Sequence, residues 1–155
     1  MLFCLLCTLA LAQETLIWRD IPRTVYEIEA PGEWKPETKT DRLTLEVRDQ
    51  QKIVFTVESK VEPNADLETV AKVHLTRWNA RSDKYTLRQL DGVKAGKLRG
   101  YRVTVEVREA NSSPREAVSY VFPALLAGDY LWIWNEQGVE VDRVDKMVRT
   151  LRMRR

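Results

Sequence analysis

The sequence has few of the residue types on which enzymes and metal proteins most often depend. Its 155 residues include one histidine, His74, and two cysteines, Cys4 and Cys7. A metal site or a nucleophilic triad needs several such side chains together, so His74 alone supplies neither. The acidic residues form no cluster at the spacing of metal ligands or of a carboxylate pair. We therefore expect no catalytic residue, no metal site and no cofactor, and a protein that is not an enzyme.

The two cysteines lie at Cys-x-x-Cys spacing near the start of the chain. A redox pair needs a folded setting that lowers the pKa of one thiol, typically a βαβ unit, and no such pattern surrounds them. A chain that loses this segment contains no cysteine at all. Such a chain would be indifferent to an oxidising compartment.

Long hydrophobic runs are also absent, with one exception at the N-terminus. Residues 1–12 carry no charged side chain, and Ala10 and Ala12 form an Ala-x-Ala pair just before Gln13. This pattern is typical of a secretory signal peptide cleaved after Ala12. The basic residues that usually begin a signal are missing, which a start codon placed too far downstream would explain. The alternative is a buried N-terminal strand.

The predicted signal is too short to span a bilayer, which takes about 20 apolar residues. We therefore expect no transmembrane span, and we predict a protein exported to the periplasm or secreted. An excess of charge of one sign is missing as well, because 25 basic residues face 23 acidic ones. This balance indicates no nucleic-acid partner. The expected partner is another protein or an envelope component, and the sequence does not determine the oligomeric state.

What the sequence does contain is strand periodicity. The clearest case is Gly100–Arg108, where apolar and polar residues alternate, as on a strand with one buried and one solvated face. We predict that this strand lies at the centre of a sheet. The last predicted strand, Tyr130–Trp134, is apolar on both faces and should be covered on both. Further strands are predicted at 24–28, 42–48, 52–58, 85–90 and 116–122, and the short apolar patch Leu16–Trp18 before Pro22 is predicted to be an edge strand.

Two helices are predicted between and after these strands. The first begins with Asp66 as its N-cap and ends near Ala80, and the second covers Val141–Leu151. Short links between strands favour antiparallel pairing. We therefore predict an α+β fold, with a mainly antiparallel sheet of about six to seven strands packed with two main helices, as a single domain over residues 13–155.

One short motif resembles a known family. The pattern Tyr26-x-Ile28-x-x-Pro31-x-x-Trp34 is similar to the opening signature of the PsbP-like superfamily. That superfamily includes the extrinsic photosystem protein PsbP and the DcrB-type exported bacterial proteins. The helix start at Asp66-Leu67 and the glycine before the long strand, Gly100, fit the same pattern, and the resemblance covers most of residues 24–151. It implies an α/β/α sandwich and an accessory or binding protein, and it brings no shared catalytic residues.

Two of the five tryptophans, Trp18 and Trp34, lie in or beside irregular segments. Tryptophan at a protein surface often marks a contact site, so we consider both as candidate partner-binding residues. The alternative is a packing role, with Trp34 as a lid on the core.

These observations favour a small exported, non-enzymatic accessory or binding protein of the cell envelope. The alternative is a cytosolic adaptor or chaperone on the same fold, which shields an apolar segment of a partner protein. That alternative requires residues 1–12 to be retained, for example as an interface strand.

Overall fold

The structure is a computed structural model that describes residues 14–48, 50–79, 84–136 and 138–155. The predicted signal peptide, residues 1–12, and its processing residues Ala10, Ala12 and Gln13 lie outside the described residues. The described part of the chain forms, in order, β1 (Leu16–Asp20), β2 (Tyr26–Pro31), β3 (Lys35–Lys39), β4 (Arg42–Arg48), β5 (Gln51–Ser59), α1 (Leu67–Asn79), β6 (Tyr85–Ala95), β7 (Leu98–Val107), β8 (Arg115–Pro123), β9 (Asp129–Glu136), α2 (Val141–Val148) and β10 (Arg152–Met153).

The strands form one large and one small sheet. The large sheet has seven strands in the order β3-β4-β5-β9-β8-β7-β6, and the small sheet has three in the order β1-β2-β10. Every pairing between neighbouring strands is antiparallel. The predicted α+β class, with a mainly antiparallel sheet and two main helices, is confirmed.

The middle strand of the large sheet, β9, contributes to two separate apolar cores. Leu131 and Ile133 point into the core beneath α2 and the small sheet. Tyr130, Trp132 and Trp134 point into the core beneath α1 on the opposite face. The prediction that this strand is covered on both faces is confirmed, and its uninterrupted apolar run follows from that double burial.

Helix α1 begins where the sequence predicts. The backbone N–H of Thr69 donates to Oδ1 of Asp66 at 2.7 Å, which is the contact of an N-cap side chain. Hydrogen bonds from the backbone and the side chain of Thr69 favour the ionised carboxylate of Asp66 and hold its pKa below the ordinary value. Val70 and Ala71 are buried one turn later and fix the helix on the second core.

The prediction that Gly100–Arg108 lies at the centre of the sheet is wrong. Residues 100–107 of this segment belong to β7, which is next to the edge strand β6, whereas β9 occupies the centre. Clean alternation marks a strand with one face only partly covered, and a strand buried on both faces loses it. On the polar face of β7, Arg102 contacts α2 while Glu106 pairs with Arg88 and Arg108 in solvent.

Two short strands are absent from the predictions. They are β3, where the sequence indicates the end of a loop, and the two-residue β10. Strand β3 was missed because all five of its residues are exposed and show no hydrophobic pattern.

Helix α2 ends at Val148 rather than at the predicted Leu151. Thr150 then donates from Oγ1 to the carbonyl of Met147 and accepts the backbone N–H of Glu29, so the chain turns into β10.

Candidate functional site

A groove of about 440 Å³ lies between the small sheet and the edge of the large sheet. Residues 18–23, from β1 and the turn after it, form one wall, and Pro36, Thr38 and Leu43 form the other. Strand β1 pairs only with β2, and β3 pairs only with β4. Two open strand edges within the described part of the chain therefore flank this groove, which we call the β1–β3 groove.

Trp18 lines this groove and is half-buried. The guanidinium carbon of Arg152, on β10, lies 3.4 Å from the centre of the Trp18 ring. Arg152 Nε also donates to Glu27 Oε1 at 2.8 Å, so its cation is held by a carboxylate and an aromatic face together. One face of Trp18 is thus packed, while the rest of the side chain borders the groove.

The charged side chains that line the groove are three arginines and one aspartate: Arg19, Arg23, Arg154 and Asp20. Arg154 Nη1 lies 3.3 Å from Asp20 Oδ2, and its Nη2 donates to the carbonyl of Thr24 at 2.6 Å. Arg19 Nη2 donates to the carbonyl of Trp34 at 3.2 Å. The cations outnumber the single carboxylate, so the groove favours an anionic ligand.

Arg23 stands at the tip of the turn between β1 and β2, and its side chain is exposed. Its φ of 58° lies in the left-handed region, which costs a non-glycine residue roughly 1–2 kcal/mol. Two backbone hydrogen bonds stabilise this turn. The N–H of Ile21 donates to the carbonyl of Tyr26, and the N–H of Thr24 donates to the carbonyl of Ile21. The turn therefore presents the Arg23 cation to the mouth of the groove.

Trp34, the second predicted partner-binding residue, does not line the groove. Its side chain is fully buried, with an exposed fraction of 0%, and belongs to the first core, as expected of a lid. The guanidinium of Arg143 lies 5.0 Å from its ring. Contact between this ring and a partner would require the turn before β3 to open. The partner-binding roles of Trp18 and Trp34 both stay predictions.

His74 lies away from the groove, on α1. Its Nδ1 is 2.6 Å from the hydroxyl oxygen of Tyr130, and its ring centre is 4.1 Å from that of Trp132. The structure thus places the partly buried His74 against two aromatic residues. Among the described residues, no group of three or more histidine, cysteine, aspartate or glutamate side chains is arranged to hold a metal ion.

A second polar cluster ties α2 to the large sheet. Arg102 Nε donates to Asp145 Oδ1 at 3.0 Å, and the hydroxyl of Tyr120 donates to the same oxygen. Burial, and then the neighbouring Asp145 carboxylate, raises the pKa of Tyr120 well above its ordinary value. No local pattern in the sequence predicts this cluster, because its members come from β7, β8 and α2.

The arginines of the groove are also absent from the sequence-based predictions. Arg19 follows Trp18 directly, but nothing in the local sequence relates either residue to Arg154. They meet because β1 and the C-terminal strand both flank β2. Within the described ranges, no helix combines the length and the apolarity that crossing a bilayer requires.

Comparison with known proteins gives a structural match without a sequence match. No family model and no curated protein matches the sequence. The solution structure of cyanobacterial PsbP (CyanoP) from Synechocystis sp. PCC 6803 superposes with a TM-score of 0.66 at 10% identity, over 94% of this chain and 96% of that one. A crystal structure from Bacteroides thetaiotaomicron matches with a TM-score of only 0.44 at 14% identity, over 86% of this chain and 47% of that one. With its large antiparallel sheet covered by a helix on each face, this chain has the PsbP-like fold.

Proposed function

We propose that this protein is an exported, non-enzymatic accessory protein that binds a protein partner of the cell envelope in the β1–β3 groove. The observation that carries the proposal is the groove itself. It combines a tryptophan, three arginines and two open strand edges at one place on the surface. Tryptophan and arginine are the residue types most enriched among those that dominate binding energy at protein interfaces.

Export rests on the sequence of residues 1–12, which is typical of a signal peptide with cleavage after Ala12. The absence of an enzymatic role rests on the sequence as well, because His74 is the only histidine and the mature chain would contain no cysteine. Neither nucleic acid nor a cofactor belongs to the proposal.

The alternative function is a cytosolic adaptor or chaperone that shields an apolar segment of a partner. A different surface favours it. Leu125 and Leu126, in the loop between β8 and β9, are exposed by 67% and 64%, and Val61 is exposed in the neighbouring loop. The two loops are joined by a hydrogen bond of 2.8 Å from the N–H of Lys60 to the carbonyl of Gly128. Exposed apolar groups at one end of a sheet suit contact with another apolar surface.

The first experiment is fractionation of the native host followed by the intact mass of the protein. A mature species that begins at Gln13 and lies outside the cytosol supports the proposal. A cytosolic species that keeps residues 1–12 contradicts export and favours the adaptor.

The second experiment tests the groove by crosslinking in native membranes and periplasm. We expect Trp18→Ala to reduce the yield of a specific crosslinked partner at least fivefold. The matched control is Leu87→Ala, which removes an exposed apolar side chain from the edge strand β6, remote from the groove. An equal yield in the wild type and in Trp18→Ala contradicts a role for the groove.

A further inference from the structure

Successive residues of β1 direct their backbone N–H and C=O groups alternately to β2 and to the open edge, so only some of these groups are available to an added strand. Gly32 N–H donates to the carbonyl of Thr15 at 2.7 Å, and Ile21 N–H donates to the carbonyl of Tyr26 at 3.1 Å. In an antiparallel pair, every second residue directs its backbone groups at the partner strand. The odd-numbered residues of β1 therefore pair with β2, and the remaining three direct their N–H and C=O groups to the open edge: Leu16, Trp18 and Asp20.

Among the described residues, the other long edges carry features that oppose strand addition, and β1 carries none of them. Strand β3 carries Pro36, which lacks an N–H donor, between Lys35 and Lys39. Strand β6 has a register shift between Leu87 and Gln89, which twists an edge away from a regular partner, and its regularly paired remainder contains Gly92 and Lys94. Strand β1 has five regularly paired residues and contains no proline, glycine or lysine.

The side chains of β1 differ between its two faces. Ile17 lies opposite Ala30 of β2, and Arg19 lies opposite Ile28. Ala30 and Ile28 are buried, so Ile17 and Arg19 lie on the face of the small sheet that packs on the core. Leu16 and Trp18 lie on the opposite face, and Leu16 is exposed by 49%. A strand added to β1 would therefore place alternate side chains beside Arg19 on one face of the small sheet and beside Leu16 and Trp18 on the other.

We propose that an extended segment of the partner protein adds to the open edge of β1 as a further antiparallel or parallel strand, with acidic side chains facing Arg19 and Arg23 and apolar ones facing Leu16 and Trp18. This inference rests on the proposed function, because it names the segment that enters the same groove. Five residues of β1 set the length of the added strand at about five residues.

Acidic residues are required because of the charges that surround the groove. Arg19 and Arg23 come from β1 and its turn, and Arg154 comes from the C-terminal end. Among the described residues, Asp20 is the only carboxylate that lines the groove, and it already pairs with Arg154 at 3.3 Å. A basic segment would meet uncompensated cations at Arg19 and Arg23, so like-charge repulsion would exclude it.

The test uses a blocked heptapeptide, Thr-Glu-Val-Glu-Val-Glu-Thr, and its counterpart with lysine in place of each glutamate. Amide hydrogen exchange is followed by NMR in the wild-type protein. With saturating acidic peptide, we expect exchange of the Leu16, Trp18 and Asp20 amides to slow at least tenfold. The Ile17 and Arg19 amides, which already bond to β2, should change little. The lysine peptide should bind at least tenfold more weakly.

A second test of strand addition reverses the charge of Arg23, which lines the groove. Arg23 is exposed, so Arg23→Glu removes no buried contact, and we expect at least a tenfold loss of affinity for the acidic peptide. Arg149→Glu makes the same charge change on an exposed residue outside the groove and should leave the affinity within twofold. Absence of binding, absence of protection at the three amides, or an equal loss in both variants would overturn the proposed strand addition.

The outcomes separate this inference from the proposed function. A Trp18-dependent partner in the envelope, combined with no amide protection by the peptide, refutes strand addition and leaves the proposed function in place. A cytosolic protein that retains residues 1–12, combined with protection of the three amides, refutes export and leaves strand addition in place.

Discussion

At the scale of single residues, Trp18 and Trp34 show why the same residue type has different consequences. Both tryptophans lie near a guanidinium, Arg152 at 3.4 Å and Arg143 at 5.0 Å from the ring centres. Trp34 is fully enclosed by the first core, whereas Trp18 remains half-buried at the groove. The sequence predicts two irregular neighbourhoods but cannot distinguish them, because the side chains that cover each ring come from distant segments.

Tyr120 is a residue whose ionisation should affect stability. Its hydroxyl is buried and donates to Asp145, and both effects raise the pKa of Tyr120 above the ordinary value of 10.0. The unfolded chain therefore loses this proton first as the pH rises. The stabilisation is complete below about pH 10 and is lost progressively above it. We expect Tyr120→Phe to lower the free energy of unfolding by about 1–2 kcal/mol at pH 7 and to flatten its decline between about pH 10 and 12.

Urea unfolding of both proteins across this pH range measures the effect. A decline of equal steepness in the wild type and in Tyr120→Phe would show that the hydroxyl does not contribute to the alkaline loss of stability.

At the scale of elements, β7 and β9 show how much of the fold could be predicted. Their existence and approximate bounds follow from alternation and from an unbroken apolar run, which are local properties of a strand. Their positions in the sheet do not. Strand order depends on which strands pair, and β9 pairs with β5 and β8 rather than with a sequence neighbour on both sides. The cleanest pattern, in β7, thus belongs to a strand near the edge.

The packing of β7 against β8 depends on a glycine. A Cβ at Gly100 would overlap the carbonyl oxygen of Val121 and the ring of Phe122. Backbone cannot give way as a flexible side chain can, so we expect Gly100→Ala to lower the free energy of unfolding by about 2–3 kcal/mol.

Gly92 on the neighbouring strand β6 provides the control. No heavy atom lies within 4 Å of a Cβ built there, and Gly92→Ala should change stability by less than about 1 kcal/mol in either direction. Thermal and urea unfolding of both variants test the contrast. Equal stability of the two variants would contradict the close approach of β7 and β8 at Gly100.

At the scale of the whole molecule, the two cores share β9 and are not independent. Each face of this strand is packed by a different set of elements, the small sheet with α2 on one side and α1 on the other. The loss of either core exposes one face of a strand that is buried on both. We therefore expect one cooperative unfolding transition, as for a single domain over residues 13–155.

Scanning calorimetry and two optical probes test this cooperativity. The calorimetric and van 't Hoff enthalpies should agree, and tryptophan fluorescence should follow the same transition as far-UV circular dichroism. Ile133→Ala opens a cavity in the first core only, and we expect it to cost about 2–4 kcal/mol and to shift both probes together. Two separate transitions in this variant would mean that the cores unfold independently.

The sequence by itself determined the properties that arise from neighbouring residues. These are the strand periodicity, the Asp66 cap of α1, the double burial of Tyr130–Trp134 and the α+β class. Only the tertiary structure decided the strand order and the groove in which Trp18 and Arg154 meet. The reason is physical. Side chains return to the same face every two residues in a strand and every 3.6 residues in a helix, so these elements produce a hydrophobic pattern among neighbouring residues. Pairing between distant strands depends instead on how the apolar faces of complete elements pack together, and no local pattern encodes it.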